Sequence, residues 1–396
     1  MSLKARVAAK GFIAQIDALG RADAAGDRAE AIVSEAWSRL LRLIDRVART
    51  GDVAAFRDAV GRLFGPLGVQ IAKTIAQSVE QSAERAYQQA ADTVTDLLPL
   101  PAVKSSLGES RLAEREIPRT QLPGFINIDP SGPMDVGSVL RLDNADGLTD
   151  DAARDLFRQL IFPPPDRKTI RAVVYQSDWI ARLQTQTSLA GPDEIARAVV
   201  KNLADGGKVR DLARSLLPVV NGVRATARRI ARDETMHATH AMQHQAWAQV
   251  GEMVVGFQVH AVLDDRTRPE HRARNGQTFY KQPTGNQRGM DECPQPPRES
   301  PKDGSKWAYG CRCFTSPLLL VNDRQGNNLT PPAQIDPKIT GDWFADTTER
   351  NRKMAVGVER YQIVSRSLGR DPRWSDFTDA GGQLLPLDAL RSRVRD

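Results

Sequence analysis

The sequence has few of the features that mark secreted, membrane or disulfide-stabilised proteins. It contains three cysteines in 396 residues, too few for a disulfide framework. No window approaches the roughly 20 apolar residues of a membrane span. The N-terminal stretch MSLKARVAAKGFIAQ is too short and too polar in its apolar part for a signal peptide. These absences predict a soluble protein made in a reducing cytoplasm.

Aromatic residues and catalytic fingerprints are also scarce. Aromatics make up 6% and hydrophobic residues 40% of the chain, so we expect much of the helical surface to be covered by partners. The sequence has no phosphate-binding glycine loop, no dinucleotide fingerprint and no HExxH motif. It therefore predicts no enzyme. The formal net charge of +6 favours an acidic partner, either nucleic acid or an acidic protein surface.

Hydrophobic periodicity and the proline and glycine content divide the chain into five regions and predict an α+β fold. Mostly helical N-terminal and middle regions are followed by a small β-containing module near residues 252–316. The five regions are a helical N-terminal region (1–100), a connector rich in proline and glycine (101–150), a helical domain (151–251), a small β-rich module (252–322), and a linker with a C-terminal tail (323–396).

Local signals place several elements within these regions. Thr149 is a good N-cap for a helix that begins in LTDDAARDLF. In MVVGFQVHAVLDD, apolar residues occupy every second position from Met253 to Leu263, which predicts a strand. Asn275 and Gly276 form a tight-turn dipeptide, and QTFY leaves it as a strand.

Histidine is concentrated in one part of the chain, where all five residues lie between positions 237 and 271. Asp233, His237, His240 and His244 fall on one stripe of the predicted helix RATARRIARDETMHATHAMQHQAWAQVG, because steps of three and four residues stay on one face. Such a stripe can chelate a divalent ion. The alternative is a solvated polar face.

Glu234 lies on the opposite, apolar side of this helix, between Ile230 and Ala238. A carboxylate there must find a partner or shift its pKa. The predicted partners are Arg266 and Arg312, through a charge-assisted hydrogen bond that joins helix to loop. A general acid or base role is the alternative.

The three cysteines follow the histidines. His271, Cys293, Cys311 and Cys313 supply one imidazole and three thiols, a set that can bind zinc tetrahedrally. The C-x-C spacing is tighter than that of a usual zinc knuckle, so partly buried thiols without a metal are the alternative. A nucleophilic Cys–His pair is the weakest interpretation, because no helix N-terminus follows either thiol of CRC.

The order of these motifs resembles a known family. A helix containing RIARDET, a strand, DDRTRPEH, NGQTF and CRC follow one another here as in the phage head morphogenesis family of minor capsid proteins, which includes proteins similar to phage Mu protein F and the SPP1 minor head protein. The resemblance covers residues 165–396 and is most specific from 224 to 315. Its motif positions correspond here to Arg232, Glu234, Asp264, Arg266, His271, Gly276 and Arg312.

The resemblance implies a role in the virion. Members of the family are low-copy minor capsid proteins that are associated with the portal vertex and with head assembly, and some accompany DNA during packaging or ejection. The expected partners are the portal protein, major capsid or scaffold proteins, and double-stranded DNA bound non-specifically. The expected location is the capsid interior or portal vertex, after assembly in the host cytoplasm. Zinc is the one cofactor to consider.

Three other functions compete with this one. The first is a zinc-dependent hydrolase or nuclease that uses His271 and the cysteines, with Glu234 as general base. The second is a polymorphic toxin, which needs a separate C-terminal toxin module. The third is a plain DNA-binding protein, which needs its positive charge on one face.

Overall fold

The computed structural model describes residues 3–97, 149–175, 179–181, 183, 192–205, 209–250, 254–261, 267–283, 285, 287–289, 312–319, 337–379 and 384–395. These residues form an α+β fold, as predicted, with many helices and one small mixed sheet. Within this part of the chain, no helix combines the length and the apolar character needed to cross a bilayer.

Three long helices form the centre of the fold. They are α1 (Leu3–Thr50), α3 (Leu67–Leu97) and α7 (Val209–Gln249), with the shorter α2 (Val53–Phe64) between the first two. Every pair of the three long helices is in contact. Their contact faces carry many alanines with no exposed surface, and such small side chains let helix axes approach closely. These alanines include Ala25, Ala29, Ala83, Ala86, Ala227 and Ala231.

Shorter helices cover this centre. In chain order they are α4 (Asp150–Ile161), α5 (Arg167–Val174) and α6 (Pro192–Ala204). The Thr149 side chain accepts a hydrogen bond from the backbone N–H of Ala152, so the predicted N-cap of α4 is confirmed. The large side chains of Phe157 and Trp179 are fully buried and belong to the main hydrophobic core.

The β module follows α7 and contains four strands and one short helix. Strand β1 (Val254–His260) lies between β2 (Thr278–Tyr280) and β4 (Phe314–Leu319) and is antiparallel to both. Strand β3 (Arg288–Gly289) pairs in parallel with β2 at the edge. Helix α8 (Pro269–Arg274) lies between β1 and β2 in the chain.

Two glycines are required by this geometry. Gly276 has φ +81° where the chain turns from α8 towards β2, a conformation that favours glycine. Gly256 lies so close to β2 that a Cβ atom there would stand 2.1 Å from the carbonyl oxygen of Phe279. The first matches the turn predicted at Asn275 and Gly276, and the second has no local sequence signal.

The strand predicted from the alternation between Met253 and Leu263 is confirmed as β1. The residues between its alternating apolar positions, Val254, Gly256, Gln258 and His260, are also buried. The strand is central in the sheet, and the side chains of His244, Trp247 and Phe314 stack on its aromatic and histidine residues. Both faces of β1 are therefore covered.

The C-terminal helices form a second hydrophobic core with the first turns of α1. They are α9 (Pro337–Asp346), α10 (Glu349–Val356), α11 (Val358–Leu368), α12 (Trp374–Phe377) and α13 (Leu387–Arg395). Phe12 of α1 packs against Trp374 with ring centroids 5.8 Å apart, and Phe344 packs against Phe377 at 5.5 Å. Helix α1 thus joins the C-terminal helices to the main core.

Candidate functional site: a buried histidine seam

Two of the predicted zinc ligands, His271 and Cys313, and two histidines of the predicted stripe, His240 and His244, lie around the start of β4. We use the name histidine seam for His240, His244, His260 and His271 together with residues 313–316 of the chain. His240 and His244 come from α7, His260 from the end of β1 and His271 from α8. Three elements that follow one another in the chain therefore meet at one short segment that comes later in the sequence.

The closest pair in the seam is His271 and Cys313. The Nδ1 atom of His271 lies 3.1 Å from the Sγ atom of Cys313. Both residues are buried, with 5% and 6% of their surface exposed. The sequence predicted that these two residues share a metal site or form a reactive pair. The structure places them in direct contact.

Two other histidines contact hydroxyl groups of β4. The Nε2 atom of His244 lies 2.8 Å from the Oγ1 atom of Thr315, and its ring stacks on Phe257 with centroids 4.5 Å apart. The Nε2 atom of His260 lies 2.7 Å from the Oγ atom of Ser316. Each ring thus has a polar contact at one edge and an aromatic neighbour on a face.

His240 is the most deeply enclosed histidine of the seam. It is 4% exposed, and neither ring nitrogen has a hydrogen-bond partner of normal geometry among the described residues. Burial, assisted by His244 and His237, lowers the pKa of His240 to about 3, although the backbone of Cys313 opposes the shift. Burial also lowers the pKa of His244 and of His260 to about 4. These three imidazoles are therefore neutral at physiological pH.

Helix α1 also contacts the seam, through the side chain of Gln15. The side-chain amide of Gln15, which has no exposed surface, donates to the backbone carbonyls of Arg312 and Cys313 at 3.2 Å. Sequence reasoning did not identify Gln15. Its only local signal is a single amide inside the apolar stretch that begins at Gly11. This contact places the backbone of the CRC motif against the N-terminal part of the chain.

The histidine stripe on α7 fits neither of the two predictions made for it, a metal-chelating face or a solvated polar face. His240 is buried and His244 is half-buried, so the solvated-face interpretation is wrong for these two residues. The face is covered because β4 packs against α7. Chelation by Asp233, His237, His240 and His244 also finds no support, since the described residues contain no group of three or more potential metal ligands.

Several motif residues are placed individually. Glu234 is 5% exposed on α7, and its pairing with Arg312 stays a prediction. Arg232 lies 4.0 Å from Asp23 of α1 in an ion pair. The carbonyl of Gly276 accepts a hydrogen bond from the Gln258 side chain at 3.0 Å. Asp264, Arg266, Cys293 and Cys311 lie outside the described residues.

The His271–Cys313 pair is compatible with a zinc site as far as it is described. Zinc bonds of ~2.3 Å to sulfur and ~2.0 Å to nitrogen in a tetrahedron hold the two ligand atoms ~3.5 Å apart. The observed separation of 3.1 Å is close to that value. Cys293 and Cys311 would have to supply the remaining ligands, so the zinc site stays a prediction.

The seam is better suited to holding structure than to catalysis. A catalytic metal or thiol needs a position that substrate can reach, whereas His271, Cys313, His240 and His260 are all buried. The contacts of His244, His260 and His271 with hydroxyl and thiol groups define which of residues 313–316 faces α7, β1 and α8. The seam therefore aligns β4 with α7, β1 and α8.

One comparison with known proteins matches the segment that contains this seam. Residues 193–316 match the family model of Phage Mu protein F like proteins. The match begins in α6 and ends at Ser316, so it contains all four histidines of the seam and all three cysteines. No curated protein and no solved structure matches the chain significantly. Over residues 193–316, the chain is therefore similar to the Phage Mu protein F like proteins, which supports its resemblance to the phage head morphogenesis and minor capsid family.

Proposed function

We propose that this protein is a low-copy minor capsid protein that acts in phage head assembly at the portal vertex. The observation that carries the proposal is the family match, which coincides with the segment that builds the histidine seam. The partners in this proposal are the portal protein and the major capsid or scaffold proteins. Non-specific contact with double-stranded DNA during packaging or ejection is part of the same proposal.

The packing of the matched region supports this role. Helix α7, which lies inside the match, packs along both α1 and α3, which lie outside it. The family region is thus built on a framework of long helices rather than being a separate small domain. Long helices with narrow apolar stripes suit contacts with other subunits, because their polar faces stay available at the surface.

The direct test is quantitative mass spectrometry of purified proheads and mature virions from the source phage or prophage. A few copies per particle, in constant proportion to the portal protein, are expected. Complete absence from both particles would contradict the proposal. Presence in proheads but not in virions after DNA release would locate the protein's departure at ejection.

The zinc-dependent hydrolase or nuclease is the second candidate, and the buried contact between His271 and Cys313 is the observation behind it. It requires metal-dependent cleavage that is abolished by Glu234→Gln. The minor capsid proposal instead expects Glu234→Gln to loosen packing while leaving particle assembly measurable. A nuclease and hydrolase screen of the metal-loaded wild type and of this variant separates the two candidates.

Metal content is a separate measurement on the purified chain. A zinc site formed by His271, Cys293, Cys311 and Cys313 predicts one zinc ion per chain by mass spectrometry of the elements, and Cys313→Ser should lower that content. A wild-type protein that is folded and free of zinc would contradict the metal prediction. The His271–Cys313 contact would then be a hydrogen bond between thiol and imidazole.

A further inference from the structure

A cleft with arginine walls lies far from the histidine seam, between the second half of α1, α2 and the start of α3. Its volume is about 600 Å³. Arg39, Arg42 and Arg46 of α1 line one wall, and Arg62 of α2 lines the other. All four are exposed. The cleft lies outside the family match, which begins at residue 193.

The arginines of this cleft differ in their pairing from the arginines that contact the middle of α1. There, the carboxylates of Asp27 and Glu30 are paired with Arg228 of α7, at 3.2 and 2.9 Å. Asp27 is also paired with Arg350 of α10 at 2.9 Å. These arginines of α7 and α10 thus join one helix to another.

In the cleft, most arginines are left without such partners. Glu35 is the one carboxylate in the lining, and it pairs with Arg39. Arg42, Arg46 and Arg62 form no ion pair with any residue that the structure describes. Four arginines and one glutamate give the lining a net charge of +3. Carboxylates of the described residues therefore do not balance this positive charge within the lining.

The arrangement of the charges suits an extended polyanion. Arg39, Arg42 and Arg46 follow the steps of one helix edge and span ~10 Å along α1. Each guanidinium can hold a phosphate through two parallel hydrogen bonds. Leu43 and Leu63 also line the cleft, and low-dielectric walls beside charges of one sign concentrate the field inside a cleft.

We propose that this cleft binds the phosphate backbone of double-stranded DNA without sequence preference. The inference rests on the DNA contact included in the proposed function and assigns that contact to α1 and α2. Phosphate is taken as the occupant because the unpaired charges of the cleft are all guanidinium groups, whose planar fork holds a phosphate through two parallel hydrogen bonds. An acidic protein surface is the competing occupant that the poly-L-glutamate experiment tests.

The test compares two triple variants of the full chain. The first is Arg42→Gln, Arg46→Gln and Arg62→Gln in the cleft. The control is Arg167→Gln, Lys168→Gln and Arg366→Gln, which removes the same charge from exposed positions elsewhere. Fluorescence anisotropy with a labelled duplex of about 30 base pairs measures affinity across a salt series. Circular dichroism and thermal melting confirm that both variants fold.

The cleft variant is expected to bind at least tenfold more weakly than the control variant at low salt. Its plot of log K against log salt should be shallower than that of the wild type by about 2.7, because each of the three lost phosphate contacts removes ~0.9 from the slope. Equal affinity and slope for the two variants would overturn the assignment to this cleft. Displacement of the duplex by poly-L-glutamate as effectively as by unlabelled DNA would overturn the preference for phosphate.

These results are independent of the particle test. A wild-type chain that does not bind the duplex at low salt overturns the inference and removes DNA from the list of partners. It leaves the minor capsid role to be judged by the copy number in particles. Conversely, a chain that binds DNA through the cleft but is absent from particles would support the DNA-binding inference and contradict the head-assembly role.

Discussion

The helical centre and the histidine seam are held together by different physical means. Where α1, α3 and α7 meet, the buried surface is rich in alanine, and the attraction is non-directional apolar burial. In the seam, His244, His260 and His271 each contact one specific side-chain atom of residues 313–316. Apolar burial contributes most of the stability, whereas the directional contacts select one alignment of the strand.

This difference predicts different responses to acid, and the largest expected effect is on the seam. The folded-state pKa values of His240 and His260 lie at about 3 and 4, below the ordinary value of 6.5. The unfolded chain therefore binds more protons, and stability present above pH 6.5 is lost as pH falls towards these values. From pH 7.5 to pH 5, each of the two contributes a loss of about 2 kcal/mol in the free energy of unfolding.

Urea unfolding at a series of pH values measures this dependence. The variant His240→Leu removes one buried titrating group from α7, so its free energy of unfolding should fall less steeply between pH 6.5 and pH 5. An identical slope for the variant and the wild type would show that His240 is not the neutral, buried group described here.

The second prediction compares two glycines, one in the sheet where two strands approach closely and one in the long helix α7 where space is open. Gly256→Ala would place a Cβ atom 2.1 Å from the Phe279 carbonyl oxygen, so β1 and β2 must separate. We expect a loss of about 3 kcal/mol or more in the free energy of unfolding. Gly222→Ala is the matched control in α7, because nothing lies within 4 Å of the added atom.

Gly222→Ala is expected to stabilise the protein by roughly 0.5–1 kcal/mol, since alanine favours a helix over glycine. Thermal unfolding of both variants gives the comparison. If Gly256→Ala were as stable as the wild type, the close approach of β1 and β2 would be wrong.

A third prediction isolates one directional contact of the seam. Thr315→Val removes the hydroxyl that contacts His244 and leaves a half-buried ring nitrogen without that partner. The expected cost is about 1–3 kcal/mol. In the double variant with His244→Phe, the orphaned nitrogen is gone and the stacking on Phe257 can remain. The two changes should therefore be less than additive by at least about 0.5 kcal/mol; additive losses would remove the argument for a coupled pair.

The smallest effect is expected at the surface of the helical centre. Arg228 pairs with Asp27 and Glu30, but its side chain is 43% exposed. Solvent and salt weaken such pairs, so Arg228→Gln should cost no more than about 1 kcal/mol, and less at high salt. A loss above 2 kcal/mol that is insensitive to salt would show that this arginine is needed for packing rather than for charge.

The sequence predicts the parts of this structure that depend on neighbouring residues. The N-cap at Thr149, the part of α7 from Arg224 onward, a strand through residues 254–260 and the turn at Gly276 all follow from local patterns. The burial of His240 does not, because the elements that cover it come from other parts of the chain. His244 and Thr315 are 71 residues apart, and Gln15 reaches Cys313 across 298 residues. A single helix pattern contains no information about such partners.

Helix α1 has one further consequence for how the protein unfolds. Its buried residues belong in turn to three hydrophobic clusters: Phe12 to Ala22 with the C-terminal helices, Ala25 to Ala36 with the main core, and Leu40 to Val47 with α2 and α6. A helix of 48 residues is about 70 Å long. Each of the three clusters contains residues of α1, so displacement of this helix exposes all three. They are therefore expected to unfold in one cooperative transition. A protease cut in the middle of α1 would therefore release distant ends of the fold together.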